Sequence, residues 1–202
     1  MSKRVVTVSR EFGSGGRAIA MRVAKELGYA FYDRTLIDAE IQKSRQSPEA
    51  MKEFEDRLNE SMLFQFAVAG SYPENFWGDY MIPPPDALFM MQEKVIKALV
   101  EKSPCVIVGT GADFVLRDRK DCCSVFFYAD LESRIERVVS EYGVDPKDAK
   151  AKIHRRDRTR ADHYEECTSL RWDNPRNYDL CLNTATLGEE AAAEMLLAAV
   201  RL

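Results

Sequence analysis

The chain has 202 residues, 46% hydrophobic and 31% charged, with a net charge of −4. That length accommodates one domain with a sizeable core, and the acidic balance argues against whole-surface attraction to nucleic acid. No run of 18 apolar residues occurs and Lys3-Arg4 leads directly into a strand-like run, so neither a membrane span nor a signal peptide is expected.

The first apolar run predicts a strand at about 4–9, followed by a glycine-rich turn and a helix over about 14–27. Ile19, Val23 and Leu27 recur every four residues and mark the buried face of that helix, and Gly28 suits its end. Ala30-Phe31-Tyr32 reads as a short strand ending at Asp33, with helices over 34–45 and 49–68. Residues 69–86 change character: Trp77, Tyr80 and Pro83-Pro84-Pro85 make an aromatic, proline-rich loop. A helix is expected at about 86–101, a fully apolar strand at Cys105–Val108 ending on Gly109-Thr110-Gly111, and another strand at 123–128. Leu131, Ile135 and Val139 mark the next helix, a charged helix spans about 145–165, and a strand at 178–182 precedes a last helix at 188–201.

Strands alternating with helices, most strands being continuous apolar runs, predict an α/β fold with a doubly wound, five-stranded parallel sheet covered on both faces. Ligands of such sheets bind beyond the C-terminal strand ends, where the 9–17 loop, Asp33, Gly109–Gly111 and Asp130 all fall. The five cysteines show no C-x-x-C spacing, and His154 and His163 lie far from paired cysteines. Reduced thiols in a cytoplasmic protein are expected, not a disulfide framework or a zinc site.

The turn after the first strand carries the most chemistry. A glycine loop between a buried strand and a helix N-terminus is a natural anion site. Gly13-x-Gly15-x-x-Ala18, with Asp33 20 residues after Gly13, fits a dinucleotide fingerprint. Against it, Arg10, Glu11 and Phe12 separate the strand end from the first glycine, a spacing that suits a phosphate-wrapping loop better. That loop lacks its usual lysine: with Gly15 as the last loop glycine, Gly16 stands at the lysine position. Arg10 and Arg17 are available as cations, and Ser9 or Ser14 as a hydroxyl.

A second constellation spans Lys150 to Arg160, where six lysines and arginines in eleven residues face one acid, Asp157. Lys152, Arg156 and Arg160 recur at helical spacing with Tyr164 continuing the stripe, so like charges share a face. A bound polyanion explains that arrangement, and a lid closing arginines over phosphates is the reading it supports. A solvated charged helix is the plainer alternative. Residues 45–85 are an insertion that suits a second-substrate pocket. Its Phe64, Phe66, Tyr72, Phe76, Trp77 and Tyr80 suit either base stacking or packing, and the aromatic 62–80 stretch offers a homodimer contact.

Together, Thr7-Val-Ser-Arg-Glu-Phe-Gly-Ser-Gly-Gly-Arg17, Phe31-Tyr-Asp33, Gly109-x-Gly-Ala-Asp113, Arg155-Arg-Asp-x-x-Arg160 and Asn177-Tyr-Asp-Leu-Cys-Leu-Asn-Thr184 resemble the cytidylate kinase-like proteins, within the P-loop nucleoside monophosphate kinases. The resemblance covers about 4–200. It implies a P-loop kinase core with a monophosphate-binding insertion (about 45–85) and a lid (about 145–176), using ATP and Mg²⁺ with CMP or dCMP as acceptor. It further implies that Gly13, Ser14, Gly15, Gly16 and Arg17, with Arg10, hold the donor phosphates, and that Arg156 and Arg160 are lid arginines acting with Arg17 in catalysis. Asp33 falls at the acceptor end or near the metal, and Gly109 and Asp113 fall with it among the substrate-binding residues. Arg134 and Arg137 are further phosphate candidates. The missing lysine keeps a nucleotide-binding regulatory protein open as an alternative.

Overall fold

The computed structural model describes residues 2–45 and 85–202. The predicted helix at 49–68 and nearly all of the aromatic insertion lie outside the described residues.

Five parallel strands form one sheet in the order β2-β3-β1-β4-β5: β1 (Val5–Arg10), β2 (Ala30–Asp33), β3 (Cys105–Val108), β4 (Cys122–Tyr128) and β5 (Leu180–Asn183). Val5 pairs with Cys105 of β3 on one side and Cys122 of β4 on the other, so β1 is the central strand. The helices are α1 (Gly16–Leu27), α2 (Arg34–Arg45), α3 (Pro85–Lys102), α4 (Ala112–Val115), α5 (Leu131–Ser140), α6 (Pro146–Thr168) and α7 (Thr184–Arg201), with a 3₁₀ turn at Pro175–Asn177.

Why β1 is rich in valine follows from what covers it. Val6 and Val8 pack with Ile19 and Val23 of α1 and Leu196 and Leu197 of α7, whereas Val5 faces Ile37 of α2 and Ile96 and Leu99 of α3. Successive side chains point to opposite faces, and here both faces are covered, so valine suits either one, and the polar Thr7 and Ser9 are buried with them. Each valine so buried contributes about 1.5–3 kcal/mol.

The order of the strands decides one of the sequence-level alternatives. In the dinucleotide fold β2 lies beside β1. Here β3 intervenes between them, so Asp33 sits two strands from the glycine loop's own strand. The sheet is the α/β doubly wound arrangement the sequence predicts, with boundaries shifted by a residue or two. One helix the sequence reading lacks is the short α4, and α7 starts at Thr184, earlier than 188. Asn183 caps α7 by accepting from the N–H groups of Ala185 and Thr186, and Gly188 (φ 76°, ψ 161°) breaks its first turn.

The charged helix α6 is pinned at both ends. Ile153 packs on Val138 and Val144 near its start, and Tyr164 joins Phe126, Trp172 and Tyr178 near its finish. The stretch between these anchors faces the C-terminal edge of the sheet.

Candidate functional site

The glycine loop leaves the sheet at Glu11, whose N–H donates to Phe127 O at 3.0 Å. Gly13 and Gly15 both take left-handed conformations (φ 86° and 77°), and Gly15 is the N-cap of α1 without any side-chain cap. The first N–H groups of α1 therefore lack intrahelical acceptors, which is the arrangement that attracts an anion. Ser14 is fully buried and its hydroxyl donates to Glu11 O at 2.9 Å. It shapes the loop and does not project into the cleft. Thr184 Oγ1 lies 2.7 Å from Ser14 O and 3.2 Å from Tyr128 O, tying the loop to the start of α7.

On the α5 side, carboxylates hold the loop's arginines. Arg134 Nη1 is 2.5 Å from Asp157 and 3.5 Å from Glu11. Asp157 also accepts from Phe12 N–H at 2.7 Å, and Glu11 accepts from Ala129 N–H at 3.1 Å. Burial pushes the Glu11 carboxyl up despite the pull of that N–H and of Arg134. Arg137 donates to Gly13 O at 2.9 Å and pairs with Glu189 at 3.2 Å. Glu189 lies against Gly15, with its Oε1 2.4 Å from where a Cβ would be, so the carboxylate sits directly on the loop.

On the other side a cleft of about 310 Å³ opens between the strand ends and α6, lined by Arg10, Arg17, Asp33, Gly109, Arg156 and Arg160 among others. Arg17 pairs with Asp33 at 2.8 Å. Burial acts to raise the Asp33 carboxyl, but the Arg17 hydrogen bond and the Leu36 N–H outweigh it and hold it below the usual carboxylate value. Asp33 Oδ1 also accepts from Leu36 N–H at 3.2 Å, so the same residue caps α2. Arg160 donates to the carbonyl of Arg10 at 3.0 Å, and the guanidinium groups of Arg156 and Arg160 lie 5.8 and 5.7 Å from the Phe12 ring. Burial, then the neighbouring Arg160, pulls the Arg10 guanidinium down to about 9. It stays charged at neutral pH.

The structure thus gathers Arg10, Arg17, Asp33, Gly109, Arg156 and Arg160 around one cleft, beside Gly13–Gly16. It does not bring Arg134 there: that side chain is buried against Asp157 and Glu11. Asp113 lies beneath the cleft, accepting from Tyr164 at 2.6 Å and facing Ser9 at 3.5 Å. Its burial raises the carboxyl above its ordinary value, with the Tyr164 and Ser9 hydroxyls acting against that. Glu189 and Thr184 escape sequence reasoning as loop partners: Thr184 closes the Asn177–Thr184 motif, but nothing in the sequence ties either residue to the loop. Asp157 does carry a signal, as the single acid among six basic residues.

A metal cluster of three or more His, Cys, Asp or Glu is absent among the described residues. Asp33 is the carboxylate among the residues lining the cleft. Among the described residues no helix is long and apolar enough to cross a membrane.

Residues 5–186 match the cytidylate kinase-like family, and the chain belongs to it. A cytidylate kinase of Methanopyrus kandleri is 30% identical over 108 residues, which are 50% of this chain and 56% of that protein. The chain thus matches little more than half the length of that relative. An uncharacterized protein from Eubacterium ventriosum has the same fold, with a TM-score of 0.70 at 23% identity over 97% of both chains. A shikimate kinase from Bacteroides thetaiotaomicron (TM-score 0.52, 14% identity, 98% of both chains) shares the sheet architecture. So does a gluconokinase from Sinorhizobium meliloti (TM-score 0.52, 15% identity, 97% of this chain and 90% of that one). The fold is that of P-loop kinases.

Proposed function

We propose that this chain is an ATP-dependent phosphotransferase that moves the γ-phosphoryl group of ATP to the phosphate of a nucleoside monophosphate, with CMP or dCMP the expected acceptor. One observation carries the reading: Arg10 and Arg17, which flank a glycine loop at a helix N-terminus, line one cleft together with Arg156 and Arg160, so that four arginines meet from three different elements. Family membership and the cytidylate kinase relative support the acceptor class.

The reaction asks for little covalent chemistry from the protein. A phosphate oxygen of the acceptor forms a bond to the γ-phosphorus as the bond to the β–γ bridging oxygen breaks, leaving ADP and a nucleoside diphosphate. Catalysis then rests on alignment and on charge placed where the transferring group passes. In this reading the N-terminal N–H groups of α1 receive the donor phosphates, and Arg137, bonded to Gly13 O and Glu189, holds the loop in shape for them. Arg156 and Arg160, carried by α6, face them across the cleft, and Arg17 is held by Asp33 between the two. Mg²⁺ would supply positive charge to the donor phosphates, and Asp33, the lining carboxylate, would take part in holding it only by giving up its bond to Arg17.

The test is ADP formation by purified protein with ATP and Mg²⁺ across CMP, dCMP, UMP, AMP and GMP. Turnover dependent on CMP or dCMP is expected. Binding of ATP without transfer to any of the five overturns the kinase reading in favour of a nucleotide-binding regulatory protein. One observation motivates that second reading: position 16, where the loop lysine is missing, has no room for a side chain. A Cβ there would lie 2.8 Å from Arg10 Cβ and 3.0 Å from Phe127 Cβ.

A further inference from the structure

A phosphate-binding loop of the form G-x-x-x-x-G-K-[ST] opens on glycine and closes on a lysine that reaches the β- and γ-phosphates. In the same frame this chain runs Arg10-x-x-x-x-Gly15-Gly16-Arg17, with the cation at the opening position and glycine at the lysine position. Geometry fixes that frame: Arg10 ends β1, Gly15 is the left-handed N-cap and α1 begins at Gly16.

The two exchanged positions compete for one volume. A Cβ on Gly16 would sit 2.8 Å from Arg10 Cβ, closer than real Cβ atoms approach anything. A side chain at 10 therefore excludes one at 16. From the strand end the Arg10 side chain runs across the cleft floor to Gly109, where a Cβ would lie 2.6 Å from its Nη1. Its φ of 81° is what calls for glycine at 109, and the guanidinium rests in the space a Cβ would take. Arg17, Arg134, Arg137 and Arg160 all have carboxylate partners. The Arg10 guanidinium makes no ion pair or side-chain hydrogen bond with another described residue, yet it lies in the cleft with Arg17 and Arg160. A partly buried cation in such company is stabilised by an anion arriving from outside.

We propose that Arg10 is the transposed phosphate cation of this loop, taking the missing lysine's part on the γ-phosphate of ATP from the strand end, and that Gly16 is a glycine because Arg10, with Phe127, fills the space a side chain there would need. This rests on the kinase reading for the identity of the ligand. It goes beyond that reading in assigning the γ-phosphate contact to Arg10 and in coupling residues 10 and 16.

The test is calorimetric titration of the full chain with ATP, ADP and CMP, read separately from turnover. Arg10→Met removes the charge and keeps much of the bulk. It is expected to weaken ATP about 10- to 100-fold, the worth of a charge-assisted contact, and ADP less than threefold. Arg10→Lys is expected to fall between. Gly16→Lys alone is expected to lower the melting temperature, and Arg10→Gly with Gly16→Lys to bind ATP at least tenfold more tightly than Arg10→Gly. Unchanged ATP affinity in Arg10→Met overturns the proposal, as does loss of CMP affinity with ATP affinity intact. So does a folded double variant no better than Arg10→Gly; if the double variant melts early, the Met and Lys variants decide. Arg10-dependent ATP binding in a protein that transfers to no acceptor supports this proposal while the kinase reading fails. Wild-type turnover retained in Arg10→Met with unchanged ATP affinity leaves the kinase reading standing and overturns this one. Failure of the wild type to bind ATP overturns both.

Discussion

The two sides of the glycine loop use the same residue type in opposite ways. Toward α5, Arg134 and Arg137 are matched by Glu11, Asp157 and Glu189 within 3.5 Å. Toward α6, Arg10, Arg17, Arg156 and Arg160 line a cleft in which Asp33, paired with Arg17, is the one lining carboxylate. A matched arginine is already satisfied and holds a shape. An arginine in a surplus of its own charge raises the energy of the empty site and lowers it when an anion enters. Arginine content alone does not mark a phosphate site; the local balance of charge does. Asp157 stands on the border, bonded to Arg134 on one side and 3.5 Å from Arg160 on the other.

The largest effect is expected where surplus charge faces the reaction. Arg160→Ala should lower turnover about 10²- to 10³-fold, the usual loss on removing one preorganised charge-stabilising donor, while leaving the melting temperature near wild type. An unchanged rate would end the lid assignment. Asp157→Asn attacks the border. It strips the buried Arg134 of its nearest anion and should cost about 3 kcal/mol of stability in urea unfolding, the low end for a broken buried pair. A loss below about 1 kcal/mol would mean that the matched side is not what holds the loop. Arg137→Ala tests the α5 side for function: KM for ATP is expected to rise about tenfold with kcat retained, as for an interaction made equally before and during reaction. A fall in kcat instead would move Arg137 into the reacting group's surroundings and blur the contrast.

The smallest expected effect concerns Asp113, beneath the surplus side. Burial holds its folded carboxyl above the ordinary value of 3.8. The proton is thus bound more tightly in the folded state, so this group's contribution is full below 3.8 and is lost as pH rises through the folded value. Asp113→Asn, which still accepts from Tyr164, should gain stability relative to wild type between pH 4 and 7 in thermal melts. A relative loss over that range would show that the ionised carboxylate is wanted there, as part of the site.

The sheet was readable because doubly buried strands leave no choice of residue: Val5, Val6 and Val8 are apolar whichever face they meet. The arginine stripe on α6 was readable for a related reason, since four-residue spacing is enough to place Arg156 and Arg160 together. Which arginines are free was not. The partner that neutralises Arg134 in part, Glu11, lies across the fold on another element, and nothing near Arg134 in the chain announces it. Asp33 shows the opposite error. Its distance from Gly13 imitates a ribose-binding acid, but β3 inserts between β1 and β2 and delivers that carboxylate to Arg17. The closed volume at position 16 depends on Arg10 and on Phe127 of β4, a contact that only the assembled sheet reveals.

The hydroxyl of Thr184 reaches the carbonyl of Ser14 across 170 residues of chain. A ribosome therefore has to add those 170 residues after Ser14 before the loop acquires this anchor. The glycine loop is made long before the residue that helps to fix it. Nascent or truncated chains that stop short of Thr184 carry the entire phosphate-binding motif with one of its fixing bonds missing. Nucleotide binding is thus also a report on whether synthesis has passed Thr184: a chain cut before β5 is expected to bind ATP poorly although the glycines and arginines of the cleft are present.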